Sequence, residues 1–103
     1  MKEDRIMTIT KTQNGSNLLV AVEGRLDTVT APQFEEEMVP ALNGVTSLTL
    51  DFSQVEYISS AGLRALLLLR TTLASGDMKV IHANELVQEV FAVTGFKKII
   101  AIE

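Results

Sequence analysis

The sequence predicts an α/β domain on a mixed sheet that opens with an antiparallel hairpin and continues with parallel strands. Two β-rich runs near the start are separated by an Asn14-Gly15 step suited to a tight turn, which makes the hairpin. Beyond it, strand-like runs alternate with helical stretches long enough to cross back over a sheet, which makes the remaining strands parallel. The helical stretches carry their own start and stop residues, so the alternation is clearly punctuated.

The hairpin strands cover residues 7–12 and 18–23, followed by a loop at Gly24-Arg25-Leu26-Asp27. A helix over 31–42 is predicted from Thr30 with Gln33, at capping-box spacing, and from Pro32 in a first turn where a missing N–H costs nothing. Glu35, Glu36 and Glu37 follow near the positive end of its dipole, Pro40 kinks or shortens it, and Asn43-Gly44 stops it. Residues 47–52 form the next strand and 55–58 an apolar approach to Ser59-Ser60, from which a second helix runs over 60–74. Ser75-Gly76-Asp77 ends that helix, and 78–82 reads as a buried strand containing the only histidine, His82. Asn84 caps a third helix running to Thr94, Gly95 closes it, and 99–102 is a last short strand. No repeat, low-complexity tract or linker interrupts the chain, so residues 1–103 read as one domain.

Hydrophobic residues make up 47% of the chain and charged ones 21%, the balance of a folded chain and not of a disordered one. A net charge of −4 with nine scattered Lys and Arg disfavours nucleic acid, whose phosphate backbone calls for clustered cations; an acidic surface suits a protein partner. Without cysteine there is no disulfide, thiol nucleophile or thiolate metal site. The first five residues mix charges and lack the apolar core of a signal peptide, and the longest fully apolar run, 65–69, is far short of the ~20 residues that cross a bilayer. A soluble, cytoplasmic protein with no membrane insertion is expected. Catalysis is not expected: no histidine is placed for a hydrolytic triad, no carboxylate pair is set apart by spacing, and the six glycines are scattered, with no phosphate loop. Nor is a metal or cofactor, since Glu35-Glu36-Glu37 reads as a solvated helix face and Lys97-Lys98 is too small a pair to mark an anion site.

Chemistry concentrates at the turn from strand to second helix. The N–H donors at a helix start have no intrahelical partners and the dipole is positive there, so a phosphate on Ser59 or Ser60 would be stabilised. Serine is also a favoured N-cap, and one of the two serving only as a cap is the plainer reading. Along the helix, Leu63, Leu66, Leu67, Leu69 and Leu73 share one apolar arc, while Leu68 lies on another flank with Ala61, Ala65, Thr72 and, beside them, Arg64. That flank is either covered by another element of the domain or is a docking face for a partner helix just below the serines. Arg64 sets a cation against the positive end of the dipole, a mild penalty that a partner carboxylate, a phosphate on the turn or plain exposure to water would relieve. Asp27 is either a partner contact or a turn aspartate.

The segment Asp51-Phe52-Ser53 with Tyr57-Ile58-Ser59-Ser60-Ala61-Gly62-Leu63 resembles the signature of the STAS family, the domain of sulfate transporters and bacterial anti-sigma factor antagonists. Val22-Glu23-Gly24-Arg25-Leu26-Asp27 is similar to the family's second strand and following loop, and Phe91-Ala92-Val93-Thr94-Gly95-Phe96 to its closing helix and turn. The resemblance spans almost the whole chain and is strongest to the stand-alone antagonists. It implies a mixed sheet with helices packed mainly on one face. It also implies a partner-switching function, in which the unphosphorylated antagonist binds an anti-sigma factor serine kinase of the histidine-kinase ATPase fold and frees the sigma factor. Phosphorylation of the turn serine then releases the antagonist, and a metal-dependent phosphatase of the PP2C type restores it. Aligned on Gly62-Leu63, the acceptor hydroxyl falls on Ser60, with Ser59 as the other candidate. Asp27, Ser59, Ala61, Gly62, Leu63, Arg64 and Leu68 are then the partner-binding residues. Family members often read Asp-Ser-Ser-Gly or Asp-Ser-Thr-Gly where this chain has Ser59-Ser60-Ala61-Gly62. Two other functions stand beside this one: a constitutive adaptor, such as the small STAS subunits that bind the ATPase of lipid transporters, and a small-ligand or nucleotide-binding module.

Overall fold

The structure, a computed structural model, describes residues 7–103; the mixed-charge start of the chain, residues 1–5, lies outside them. Five strands, β1 (Met7–Asn14), β2 (Asn17–Leu26), β3 (Ser47–Ile58), β4 (Asp77–Ile81) and β5 (Ala101–Ile102), form one sheet in chain order. β1 and β2 run antiparallel about Gly15-Ser16, where Gly15 takes φ 64°. β2 to β5 are parallel, joined by α1 (Ala31–Ala41), α2 (Ser60–Leu73) and α3 (Glu85–Thr94). Each parallel connection steps one place in the same direction, so crossovers of the usual right hand put every helix on the same side of the sheet.

Burial follows from that placement. Leu18, Val20 and Val22 of β2, Leu48, Leu50 and Phe52 of β3, and Met78 and Val80 of β4 face the helices and are buried, while Leu19 on the opposite face is exposed. Phe34 of α1, Leu66 and Leu69 of α2 and Phe91 of α3 close the core, with the Phe52 and Phe91 rings 6.3 Å apart. The predicted class, hairpin and one-sided helical layer are all present. Caps fall where the local residues place them at α3, whose Asn84 side chain accepts from the Val87 N–H at 2.8 Å and whose Gly95 takes φ 80°.

Several expectations are corrected. β2 continues through Gly24-Arg25 to Leu26, accommodated by two register shifts against β3 and by Gly24 at φ 112°, which few side-chain-bearing residues adopt. The two runs 47–52 and 55–58 are one strand. His82 is not in a buried strand; it lies exposed past the end of β4, at φ 64°. The capping box at Thr30 does not form, because its hydroxyl donates to the Arg25 carbonyl (2.7 Å) and accepts from the Asp27 N–H (2.9 Å), while Gln33 turns to Glu37 (3.0 Å). α2 stops at Leu73, where Ala74 and not Gly76 breaks the helix. Leu67, placed in the apolar arc, is exposed, and of the second flank, read as either covered or a docking face, Ala65 is fully buried while Leu68 is exposed. The last strand shrinks to two residues, since a 3₁₀ turn over Phe96–Lys98 and the inward-facing Ile100 take up its approach.

Candidate functional site at the carboxyl edge of the sheet

Parallel strands point the same way, so the loops after β2, β3 and β4 gather at one edge, where open α/β sheets place their functional groups. The Ser59 N–H donates to the Leu26 carbonyl at 2.9 Å, fastening the β3–α2 turn to the end of β2. Asn84, besides capping α3, donates from Nδ2 to the Val55 carbonyl at 3.1 Å and fastens the third loop to β3. Sequence reasoning assigned Asn84 a cap only; this cross-strand role has no local signal.

Ser59 is the N-cap of α2. Its backbone is extended, its Oγ accepts from the Gly62 N–H at 3.4 Å and its carbonyl accepts from the Leu63 N–H at 2.9 Å. Ser60 is the first helical residue, is exposed, and its hydroxyl has no hydrogen-bond partner among the described residues. The two adjacent serines therefore do different work. Gly62 and Leu63 are buried beneath them. A Cβ at Gly62 would lie 2.5 Å from the Leu26 carbonyl oxygen and 2.7 Å from Ile58 Cγ1, so only glycine lets the start of α2 sit against the end of β2. These two residues hold the turn in place and present no surface of their own.

Asp27 is the turn aspartate. Its Oδ1 accepts from the N–H groups of Val29 (3.0 Å) and Thr30 (3.2 Å), and its Oδ2 from Arg25 Nε (3.4 Å). Burial pushes its carboxyl up, but the hydrogen bonds from Thr30, Val29 and Arg25 outweigh that and hold it below the ordinary range. Thr30, buried at 2% exposure, completes the cluster, and a buried polar side chain of this kind is not visible in a sequence pattern. Arg25 also lies over the Tyr57 ring, 4.8 Å from its centroid. Between the starts of α1 and α2 a shallow groove of about 230 Å³ is lined by Thr28, Ala31, Pro32, Glu35, Ala61 and Arg64.

Leu68 is 40% exposed, so no other described element covers it, and Leu67 is 42% exposed beside it. With Ser60, Arg64, Thr71 and Thr72 they form the outward face of α2. The Thr71 and Thr72 hydroxyls donate back to the carbonyls of Leu67 (3.0 Å) and Leu68 (2.7 Å), which leaves Ser60 and Arg64 as the side chains of this face with no hydrogen-bond partner among the described residues. Among the described residues no three His, Cys, Asp or Glu gather as a metal site, and no helix is long and apolar enough to cross a membrane.

A family model described as Mlab, STAS domain, matches residues 9–101. The chain belongs to the STAS family. It is 30% identical over 99 residues to the Bordetella bronchiseptica protein named as anti-sigma factor antagonist BtrV, covering 93% of this chain and 85% of that one. It is 28% identical over 92 residues to the anti-sigma-B factor antagonist of Bacillus subtilis, covering 87% and 84%. A crystal structure of an anti-sigma factor antagonist from Mycobacterium paratuberculosis superposes with a TM-score of 0.83 at 25% identity, over 93% of this chain and 84% of that one. Within this STAS domain, the Gly62-Leu63 pair that carries the resemblance has a physical reason: a side chain at Gly62 would push α2, and Ser60 with it, off the sheet edge.

Proposed function

We propose that this STAS domain is an anti-sigma factor antagonist that works by partner switching, with Ser60 as the switch. Similarity to antagonists over most of the chain supports the class, and the observation that carries the mechanism is the division between the two serines. Ser59 is spent on the cap, whereas Ser60 is exposed and uncommitted at the helix start. In this reading the unphosphorylated domain binds an anti-sigma factor that is a serine kinase of the histidine-kinase ATPase fold, in the cytoplasm, and the sigma factor is freed. The domain is a regulatory binding protein and catalyses nothing itself. Its docking surface combines Ser59, Ser60, Ala61, Arg64, Leu67 and Leu68, with the Asp27 loop beside it and Gly62 and Leu63 as its buried support. Phosphorylation of Ser60 ejects the partner, and a PP2C-type phosphatase resets the domain.

A phosphate adds about −1.5 to −2 charge, taking the chain from −4 to roughly −6, at a helix end that favours anions. The fold survives while the interface must desolvate a doubly charged group. An unpaired cost of ~3 kcal/mol weakens binding by about two powers of ten.

The test is a pull-down from native cells with wild type and Ser60→Asp, the retained proteins being identified by mass spectrometry. A kinase-fold protein held by wild type and lost with Ser60→Asp is expected. Equal retention of a transporter ATPase by both baits refutes the switch and supports the second reading, a constitutive adaptor of a lipid-transport complex. The Leu67-Leu68 pair favours that alternative to the extent that it can dock a partner with no phosphate involved.

A further inference from the structure

Ser60 and Arg64 stand four residues apart on α2, which places their side chains one above the other on the same helix face, with β-carbons about 5–6 Å apart. Both are exposed. Arg64 forms no hydrogen bond or ion pair among the described residues, although its position in the first turns of the helix sets its charge against the positive end of the dipole. The neighbouring carboxylates do not claim it. Glu35 of α1 lines the same groove without coming into ion-pair distance, and the Asp27 carboxylate is occupied by Thr30, Val29 and Arg25. A phosphate ester on Ser60 would offer three oxygens to a guanidinium one turn away, and the planar fork of arginine suits such an anion.

We propose that Arg64 is the internal counter-ion of a phosphate on Ser60. Modification then draws the guanidinium back along α2, and the outer face shared with Leu67 and Leu68 loses a free cation at the moment it gains an anion. Release of a partner thus has two sources, a new charge and a withdrawn contact. The proposal rests on Ser60 being the modified hydroxyl.

Phosphoserine inserted at position 60 during translation allows a test that needs no kinase. The phosphorus NMR titration of the phosphate is compared in the full chain, in Arg64→Gln, in Arg64→Lys and in Glu35→Gln. The second ionisation is expected about 0.2–0.4 of a unit lower in the otherwise unaltered chain than in Arg64→Gln. Arg64→Lys should recover part of that difference, and Glu35→Gln should leave it in place. Phosphorylation should also raise the melting temperature more in the parent than in Arg64→Gln. Superimposable titrations of the parent and Arg64→Gln overturn the proposal, as does a shift that depends on Glu35 and not on Arg64. Because the phosphate is installed synthetically, either result is independent of whether a cellular kinase uses Ser60 or a partner binds.

Discussion

Replacing Gly62 with alanine isolates the contact on which the serine turn depends. In an unconstrained helix interior the change would stabilise, since alanine exceeds glycine in helix propensity by about 1 kcal/mol. Here the new Cβ would meet the Leu26 carbonyl oxygen at 2.5 Å, Ile58 Cγ1 at 2.7 Å and Leu26 Cγ at 2.9 Å. The oxygen belongs to the backbone of β2, paired at Leu26 with Ile58 of β3 and bonded to the Ser59 N–H, and cannot step aside as a flexible side chain would. Relief therefore requires the first turn of α2 to retreat by most of an ångström. That retreat stretches the 2.9 Å hydrogen bond from the Ser59 N–H to the same Leu26 oxygen. Overpacking costs about 1–3 kcal/mol and a weakened buried hydrogen bond about 1 more, against the propensity gain of about 1. The net is a destabilisation of about 2 kcal/mol, or a fall in Tm of about 10 °C for a domain of this size. Urea unfolding followed by circular dichroism reads it as a lower midpoint with an unchanged slope. A Gly62→Ala protein as stable as the parent, or more so, would show that the approach of α2 to β2 is loose and that the glycine is there for some other reason.

The adjacent serines should separate cleanly: Ser59→Ala loses the cap and costs about 1 kcal/mol, whereas Ser60→Ala leaves the urea midpoint within about 0.5 kcal/mol of the parent. Ala74 ends α2 at φ 57°, ψ −107°, a conformation costly for any residue with a Cβ, so Ala74→Gly is expected to stabilise by about 1 kcal/mol in the same assay. Asp27 titrates below its ordinary value of 3.8 when folded, so its contribution is fully present above that value and is lost as pH falls through the lower folded one. Asp27→Asn should accordingly flatten the acid limb of a stability profile below about pH 4 while leaving its shape near neutrality unchanged.

What could be read from the sequence was local. Asn84 and Gly95 bracket α3 because an N-cap and a left-handed stop act within a few residues of themselves, and the hairpin followed from Asn14-Gly15 for the same reason. The errors are tertiary. Gly24-Arg25 reads as a turn, yet β3 offers a second edge along which β2 can continue once two register shifts are taken up. Thr30 looks like the start of a capping box, but its hydroxyl is taken by the preceding loop, and that contact depends on where Arg25 and Asp27 fold back. Leu67 and Leu68 lie on opposite sides of the outward face of α2, so a hydrophobic arc drawn from leucines alone misplaces one of them. The site followed the same division: the serine pair was legible, whereas the assignment of the cap to Ser59 needed the Gly62 N–H in place.

The anchoring of the three loops decides what kind of switch this edge can be. Ser59 is tied to β2, and Asn84 ties the start of α3 to β3, both through backbone carbonyls of strands that belong to the core. A change of local fold at Ser60 would have to break such bonds at about 1 kcal/mol each and expose the apolar residues behind them. A phosphate on Ser60 supplies no force in that direction, because its interaction with the positive helix end is itself favourable by up to about 1 kcal/mol and holds the turn in its present form. The modification thus favours the folded arrangement and disfavours only a partner pressed against it. On the reading proposed above, a rigid edge with one uncommitted hydroxyl switches at its surface and not by refolding, and the division of labour between the serines fits that: a residue that both capped α2 and carried the phosphate would couple every modification to the stability of the helix.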